Sequence, residues 1–194
     1  MTIRGKAWSW NATEHDWWAW YPCDRYIEPP FRELIRVVEV EAPTDVVFRW
    51  VCQMKVAPYS YDWIDNLGRR SPRELTPGAD RLEVGQSFGI GPIVAFAKDH
   101  HVTGVAHPRV RRFLGNWSYT YLVEPTGPCS CRLVVKANTS CRGWWGRLRA
   151  FLLAWGDLVM MRKQLLTFKE LAEKTVRETG VTGPLEAGLG RDAA

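Results

Sequence analysis

The sequence predicts an α+β domain in which a curved antiparallel sheet wraps one long C-terminal helix, with two short helices inserted after the first strand. Three observations carry this. The β-branched run LIRVVEVE at 34–41 gives way at once to a helix start, Ala42-Pro43-Thr44-Asp45. Short alternating segments punctuated by glycine and proline follow between 86 and 139. A helical period is then sustained from 145 to about 178.

With 194 residues, 46% of them hydrophobic, the chain can bury one substantial core. Its expected organisation is a Trp-rich N-terminal arm over 1–33, a folded domain over 34–178 and a disordered tail over 179–194. The arm holds Trp8, Trp10, Trp17, Trp18, Trp20 and Tyr21 among polar residues, and Pro22, Pro29 and Pro30 argue against a long element there. The tail is rich in glycine and small residues and has no period.

The first strand ends with Val38 and Val40 alternating against Glu39 and Glu41, the pattern of a half-buried strand. In the helix after it Val47, Trp50, Val51 and Met54 recur at helical spacing. A second short helix is expected from Ser60, as N-cap, to Gly68, as stop. Residues 69–85 read as a surface loop. Strands are then expected at 86–90, 93–98, 100–105, 116–124 and 129–139, arranged as a meander. Trp117, Tyr119, Tyr121 and Val123 share one face of their strand, as Leu133, Val135 and Ala137 share one face of the last, and both faces are expected to point inward.

The long helix carries a stripe of Phe151, Ala154, Leu158, Met161, Leu165, Phe168 and Ala172, the expected buried face. Its first half is apolar on a second side too, through Leu148, Leu152, Trp155 and Val159. So much apolar surface predicts a cover, either the Trp-rich arm or a second copy of the chain.

Composition removes several function classes. The net charge of +5 comes from arginines scattered along the chain, not from a dense basic tract, so no nucleic-acid partner is expected. The greasiest run, 150–161, is interrupted by Asp157 and is too short to span a bilayer, so no integral membrane association is expected. Five cysteines without CxxC spacing indicate neither a disulfide framework nor zinc. A cytoplasmic protein, monomeric or homodimeric, fits these features. His100 and His101 point to opposite faces of any strand and fit a solvent-facing hairpin; His15 and His107 fall in segments that do not converge with them, so no metal is expected. No phosphate-binding glycine loop and no GxSxG elbow occur, and no cofactor is expected.

Three stretches carry a family resemblance: VVEVEAPTDVVFRWV (37–51), YSYDWIDN (59–66) and WGDLVMMRKQLLTFKELAE (155–173), with PCDRYIEPP (22–30) ahead of the first strand. They resemble the START-related and polyketide-cyclase superfamily called SRPBCC, and within it an actinobacterial-type subgroup whose members mostly lack an assigned activity. The resemblance spans roughly residues 11 to 175 and implies the helix-grip fold. It also implies a cavity between sheet and long helix, used across the superfamily for lipid or sterol carriage, hormone sensing, or cofactor-free cyclisation and dehydration of polyketide-like substrates. Fold alone does not choose among these uses.

Candidate site residues follow from where such a cavity would lie. Tyr59, Tyr61, Asp62, Trp63 and Asn66 combine rings with hydrogen-bonding groups on one short helix, where Asp62 and Asn66 share a face. Tyr61 and Asp62 are the expected acid/base pair if the protein turns a substrate over. Trp117, Tyr119 and Tyr121 put an indole and two phenols on the concave face. On the long helix Asp157 and Gln164 flank the buried stripe on one side and Arg162 with Trp155 on the other; Arg162 is alternatively a structural partner of Asp62 or Asp157. Met161 adds adaptable apolar surface. The expected ligand is a small hydrophobic molecule, lipid-like, aromatic or polyketide-like. Three readings stay open: an enzyme acting on that ligand, a carrier or sensor that only holds it, and an interaction module whose exposed Trp and Arg residues bind a membrane surface or partner.

Overall fold

The computed structural model describes residues 5–61 and 70–180. The arm holds a two-residue strand β1 (Ser9–Trp10), a helix α1 (Glu14–Trp18) and a 3-10 turn at Pro22–Tyr26. Then come β2 (Phe31–Val40), α2 (Thr44–Cys52) and a 3-10 turn at Gln53–Lys55, followed by β3 (Ser87–Phe88), β4 (Gly91–Ala97) and β5 (His101–Val105). The chain closes with α3 (Pro108–Leu114), β6 (Trp117–Gly127), β7 (Ser130–Ser140) and α4 (Gly143–Thr179). The second short helix expected after the first strand lies largely outside the described residues.

The strands form one curved, unclosed sheet in the order β1-β2-β7-β6-β5-β4-β3, with β1 parallel to β2 and the other neighbours antiparallel. Its concave side grips α4, which makes the architecture a helix-grip α+β fold. The register builds the concave face in rows. Leu34 pairs with Ala137, which pairs with Tyr119; Arg36 with Val135 and then Tyr121; Val38 with Leu133 and then Val123. Strand parity alone puts these residues on one side, and all but Arg36 belong to one buried apolar cluster. Gly104, opposite Tyr119 in β5, leaves room for the phenol: a Cβ there would lie 2.5 Å from Tyr119 Oη and 2.6 Å from its Cζ.

Helix α4 has 37 residues, roughly 55 Å at the usual helical rise. Its burial is concentrated at Gln164, Leu165, Thr167, Phe168, Leu171 and Ala172, where it packs on β2 and α2 and Trp50 Nε1 donates to Thr175 Oγ1 at 3.0 Å. Ala154, Leu165, Phe168 and Ala172 of the predicted stripe are buried, but Phe151 is exposed.

The N-terminal arm makes only short elements, as its prolines predict, and its described residues leave Leu148, Leu152, Trp155 and Val159 on the second apolar side of α4 exposed. Thr13 caps α1: its hydroxyl accepts from Asp16 N, and Asp16 Oδ2 accepts from Thr13 N at 2.6 Å. Beyond β1 the arm lies on the convex face of the sheet, where Tyr21 and Cys23, with Trp17, pack on Ile35, Val37, Leu122 and Val134. Polar groups of that face find partners in the arm. Cys23 N donates to Thr120 Oγ1 at 3.0 Å and Ser118 Oγ donates to Cys23 O at 2.9 Å. Arg132 makes a two-point contact with Asp16 at 2.8 and 3.0 Å, and Lys136 lies 3.0 Å from Asp24 and 2.8 Å from Glu33. The central strands are thus buried on both faces, which is why Ser118, Thr120, Lys136 and Asn138 are inaccessible despite being polar.

Candidate functional site

Between the concave face and the first two-thirds of α4 lies a cavity of about 560 Å³, a size within the usual range for small-molecule sites. Its floor is the strand rows: Leu34, Arg36, Trp117, Tyr119, Tyr121, Val135 and Ala137. Leu152, Leu153, Gly156, Asp157, Met160, Met161 and Gln164 of α4 form its roof, and Met54, Pro58, Ser60, Gly89, Ile90 and Leu114 close the ends.

The polar groups in this apolar wall are tied to one another. Tyr121 Oη donates to Gln164 Oε1 at 2.6 Å and lies 3.6 Å from Met161 Sδ, while Gln164 Nε2 donates to Pro58 O. Tyr119 Oη donates to Phe88 O. Burial raises both phenols above their ordinary range, Tyr121 further through Tyr119 and Asp157, so both stay neutral donors.

Arg36 and Asp157 form the charged centre. The Arg36 side chain is 1% exposed and that of Asp157 15%, with Nη2 3.0 Å from Oδ2. Nη2 also donates to Ala7 O at 2.6 Å and reaches Ala154 O at 3.4 Å, and Nη1 donates to Ile35 O at 3.2 Å. With the Nη hydrogens directed at carbonyls, neither Arg36 Nε nor Asp157 Oδ2 has a well-aligned hydrogen-bond partner among the described residues. Burial lifts the Asp157 carboxyl to about 6, against the opposing charge and hydrogen bonding of Arg36. Burial likewise lowers Arg36, partly offset by Asp157.

The sequence-predicted residues fall into three groups. Trp117, Tyr119, Tyr121, Asp157 and Met161 line the cavity. Tyr59 does not: it is buried in the core between Trp50 and Phe168, with its hydroxyl 3.5 Å from Gln53 Oε1. Arg162 is exposed and its guanidinium lies over the Trp10 ring at 5.8 Å, so the partner of Asp157 is Arg36 instead. Tyr61 follows Pro58 and Ser60 of the cavity wall but is not itself a lining residue, and Asp62, Trp63 and Asn66 lie outside the described residues. His100 and His101 sit at the β4–β5 hairpin with their Nδ1 atoms 2.9 Å apart, away from the cavity lining. Arg36 is the residue that sequence reasoning passed over. Its signal was parity: it shares the inward phase of Leu34 and Val38.

No protein-family model and no curated protein sequence matches the chain. Solved structures similar to it include a protein of Thermobifida fusca, with 20% identity, a TM-score of 0.48, and 75% of this chain and 93% of that one covered. A protein of Mesorhizobium loti is 16% identical with a TM-score of 0.46, covering 74% and 98%. A polyketide-cyclase-like protein of Corynebacterium glutamicum is 14% identical with a TM-score of 0.46, covering 78% and 97%. At these identities the likeness is one of fold.

Proposed function

We propose that the chain encloses a small hydrophobic molecule in the cavity between its sheet and α4. The observation that carries this reading is the cavity itself: about 560 Å³ of space walled mainly by apolar side chains, with the phenols of Tyr119 and Tyr121 bonded to the protein and Arg36 facing Asp157. An apolar pocket with a small number of fixed polar groups suits a ligand that is buried for its apolar area and oriented at one or two points. The resemblance of 37–51 and 155–173 to SRPBCC proteins supports the same reading.

A second reading adds chemistry, carried by the position of Asp157 in the apolar wall beside Arg36: burial lifts its carboxyl to about 6, so a minor protonated fraction persists at neutral pH and the group can take or give a proton. In that second reading Asp157 moves the proton and the shape of the cavity orients the substrate; Tyr61 and Asp62 remain candidates from the sequence.

The test of enclosure is Gly156→Leu. Gly156 borders the cavity at an exposed position, and a Cβ added there meets nothing within 4 Å, so leucine is accommodated at the cavity's edge without overpacking. We expect the wild-type protein to bind the neutral dye N-phenylnaphthylamine saturably and the variant to bind it at least about tenfold more weakly, with no loss of melting temperature. Unchanged dye affinity, together with no organic molecule recovered by mass spectrometry of the purified protein, would overturn the reading. Asp157→Asn separates the two uses: turnover of a recovered ligand by wild type and its loss in the variant assigns an enzyme, and no turnover by wild type assigns a carrier.

A further inference from the structure

The first half of α4 presents a continuous apolar face to solvent. Trp144 and Trp145 are 63% and 68% exposed, and Leu148, Phe151, Leu152 and Trp155 are exposed with them. Helix α3 adds Phe113, also exposed. The two helices are neighbours: Gly115, at the end of α3, packs against the Arg149 guanidinium of α4, and Arg149 donates to Ser140 O at 3.2 Å. Leu114 of α3 and Leu152 of α4 line the same cavity, and Leu152 is 61% exposed, so the cavity reaches the surface within this face.

The charge around the face has one sign. Arg109, Arg111, Arg112, Arg142 and Arg147 are exposed, and none makes an ion pair among the described residues. Helix α3 and the part of α4 before residue 157 contain no Asp or Glu, and the first acid, Asp157, is turned inward to Arg36. A second copy of the chain seated symmetrically on this face would oppose arginine to arginine with no acid to pair them. An anionic bilayer surface complements both features. Its headgroups pair the arginines, and its interfacial layer accommodates indole rings and aliphatic side chains. No helix among the described residues is long and apolar enough to cross a membrane, so the segment can only lie along one.

We propose that the first half of α4, with α3, docks the protein onto anionic lipid surfaces, with Trp144 and Trp145 in the headgroup layer and the cavity mouth at Leu152 turned toward the bilayer. Docking is read on vesicles without any cavity ligand, so its failure leaves the enclosure reading intact, and failure of enclosure leaves docking intact.

The experiment is co-sedimentation of the full chain with phosphatidylcholine vesicles with and without phosphatidylglycerol. Binding is expected only with the anionic lipid. Arg109→Gln/Arg112→Gln should weaken it about thirtyfold, the ordinary effect of two interfacial arginines, and Trp144→Ala/Trp145→Ala should weaken it at least about tenfold. All four positions are exposed, so melting temperatures should be unchanged. Lys174→Gln/Arg177→Gln, which removes equal charge from the far end of α4, should leave binding unaltered. Equal binding to neutral vesicles, no binding to either kind, or an equal loss in the far-end variant overturns the proposal. So does a concentration-dependent dimer in sedimentation velocity that disperses in Trp144→Ala/Trp145→Ala, which gives the face to a second copy.

Discussion

Replacing Arg36 with methionine removes the cation that Asp157 faces in the cavity wall. In the folded protein the Asp157 carboxyl stands at about 6 against an ordinary 3.8, because burial outweighs the opposing effects of Arg36. That gap corresponds to about 3 kcal/mol of destabilisation from this group above pH 6. Because the folded value is the higher one, the folded state binds the proton more tightly than the unfolded chain. Stability therefore rises as pH falls through about 6, and the gain is complete near 3.8. In Arg36→Met both opposing effects vanish, the carboxyl is pushed higher still, and an uncompensated charge remains in the wall. We expect a loss of about 3–5 kcal/mol near pH 8, or roughly 6–20 °C in melting temperature for a chain of this size. Near pH 5, where Asp157 takes up a proton, most of that loss should disappear. Arg36→Met/Asp157→Leu removes both charges and should recover the part of the loss that comes from the unpaired charge, leaving a cost of about 1–3 kcal/mol from the carbonyls of Ala7, Ile35 and Ala154 that lose their donor. Urea denaturation of wild type, both single variants and the double at the two pH values gives the complete cycle. An Arg36→Met cost identical at both pH values, with the double variant's loss equal to the sum of the singles, would refute the coupling.

Two further perturbations test the scaffold on either side of the sheet. On the convex face, Asp24→Ala leaves Lys136, 3% exposed, with Glu33 as its remaining anion and deprives Asn138 Nδ2 of its 2.8 Å acceptor; we expect a loss of about 3 kcal/mol and faster amide exchange along the arm, and a variant within about 0.5 kcal/mol of wild type would show the arm to be dispensable. On the concave face, Gly104→Ala forces the Tyr119 ring away from β5, weakening its bond to Phe88 O; we expect about 1–3 kcal/mol of destabilisation with altered near-ultraviolet circular dichroism, and no change in either would disprove the close approach.

Much of the fold was legible because its signals are local. The alternation of β2, the proline and acid at the start of α2, the parity of Trp117, Tyr119 and Tyr121 and the period of α4 are each set by residues close in sequence. The place of the arm was not legible because it comes from distant partners: Trp17, Tyr21 and Cys23 pack against Val37, Leu122 and Val134. Thr13 and Asp16 did carry a local capping signal. Helix α3 was missed for a similar reason, since PRVRRFL has few apolar residues and none of them is buried. In the site, parity marked the aromatic wall, but the pairing of Arg36 with Asp157 joins residues far apart in the chain and follows only from the register of β2 under α4.

The arrangement of hydrogen bonds in the cavity constrains what kind of recognition it can perform. Tyr121, Gln164 and Pro58 O form one closed chain, Tyr119 is held by Phe88 O, and Nη1 and Nη2 of Arg36 are directed at the carbonyls of Ile35, Ala7 and Ala154. A ligand that competed for any of these donors would leave a buried carbonyl or amide unpaired, at a cost of about 1–3 kcal/mol that its own bond would barely offset. Most of the affinity available to a ligand here therefore comes from apolar area and shape, which the methionines Met54, Met160 and Met161 can adjust to. Arg36 Nε and Asp157 Oδ2 lack hydrogen-bond partners among the described residues, but both atoms are buried out of reach, so neither is offered to a ligand without movement of the wall. Under the proposed enclosure, an apolar molecule with few hydrogen-bonding demands therefore suits this cavity better than a polar one, whose groups would have to break a pairing already made.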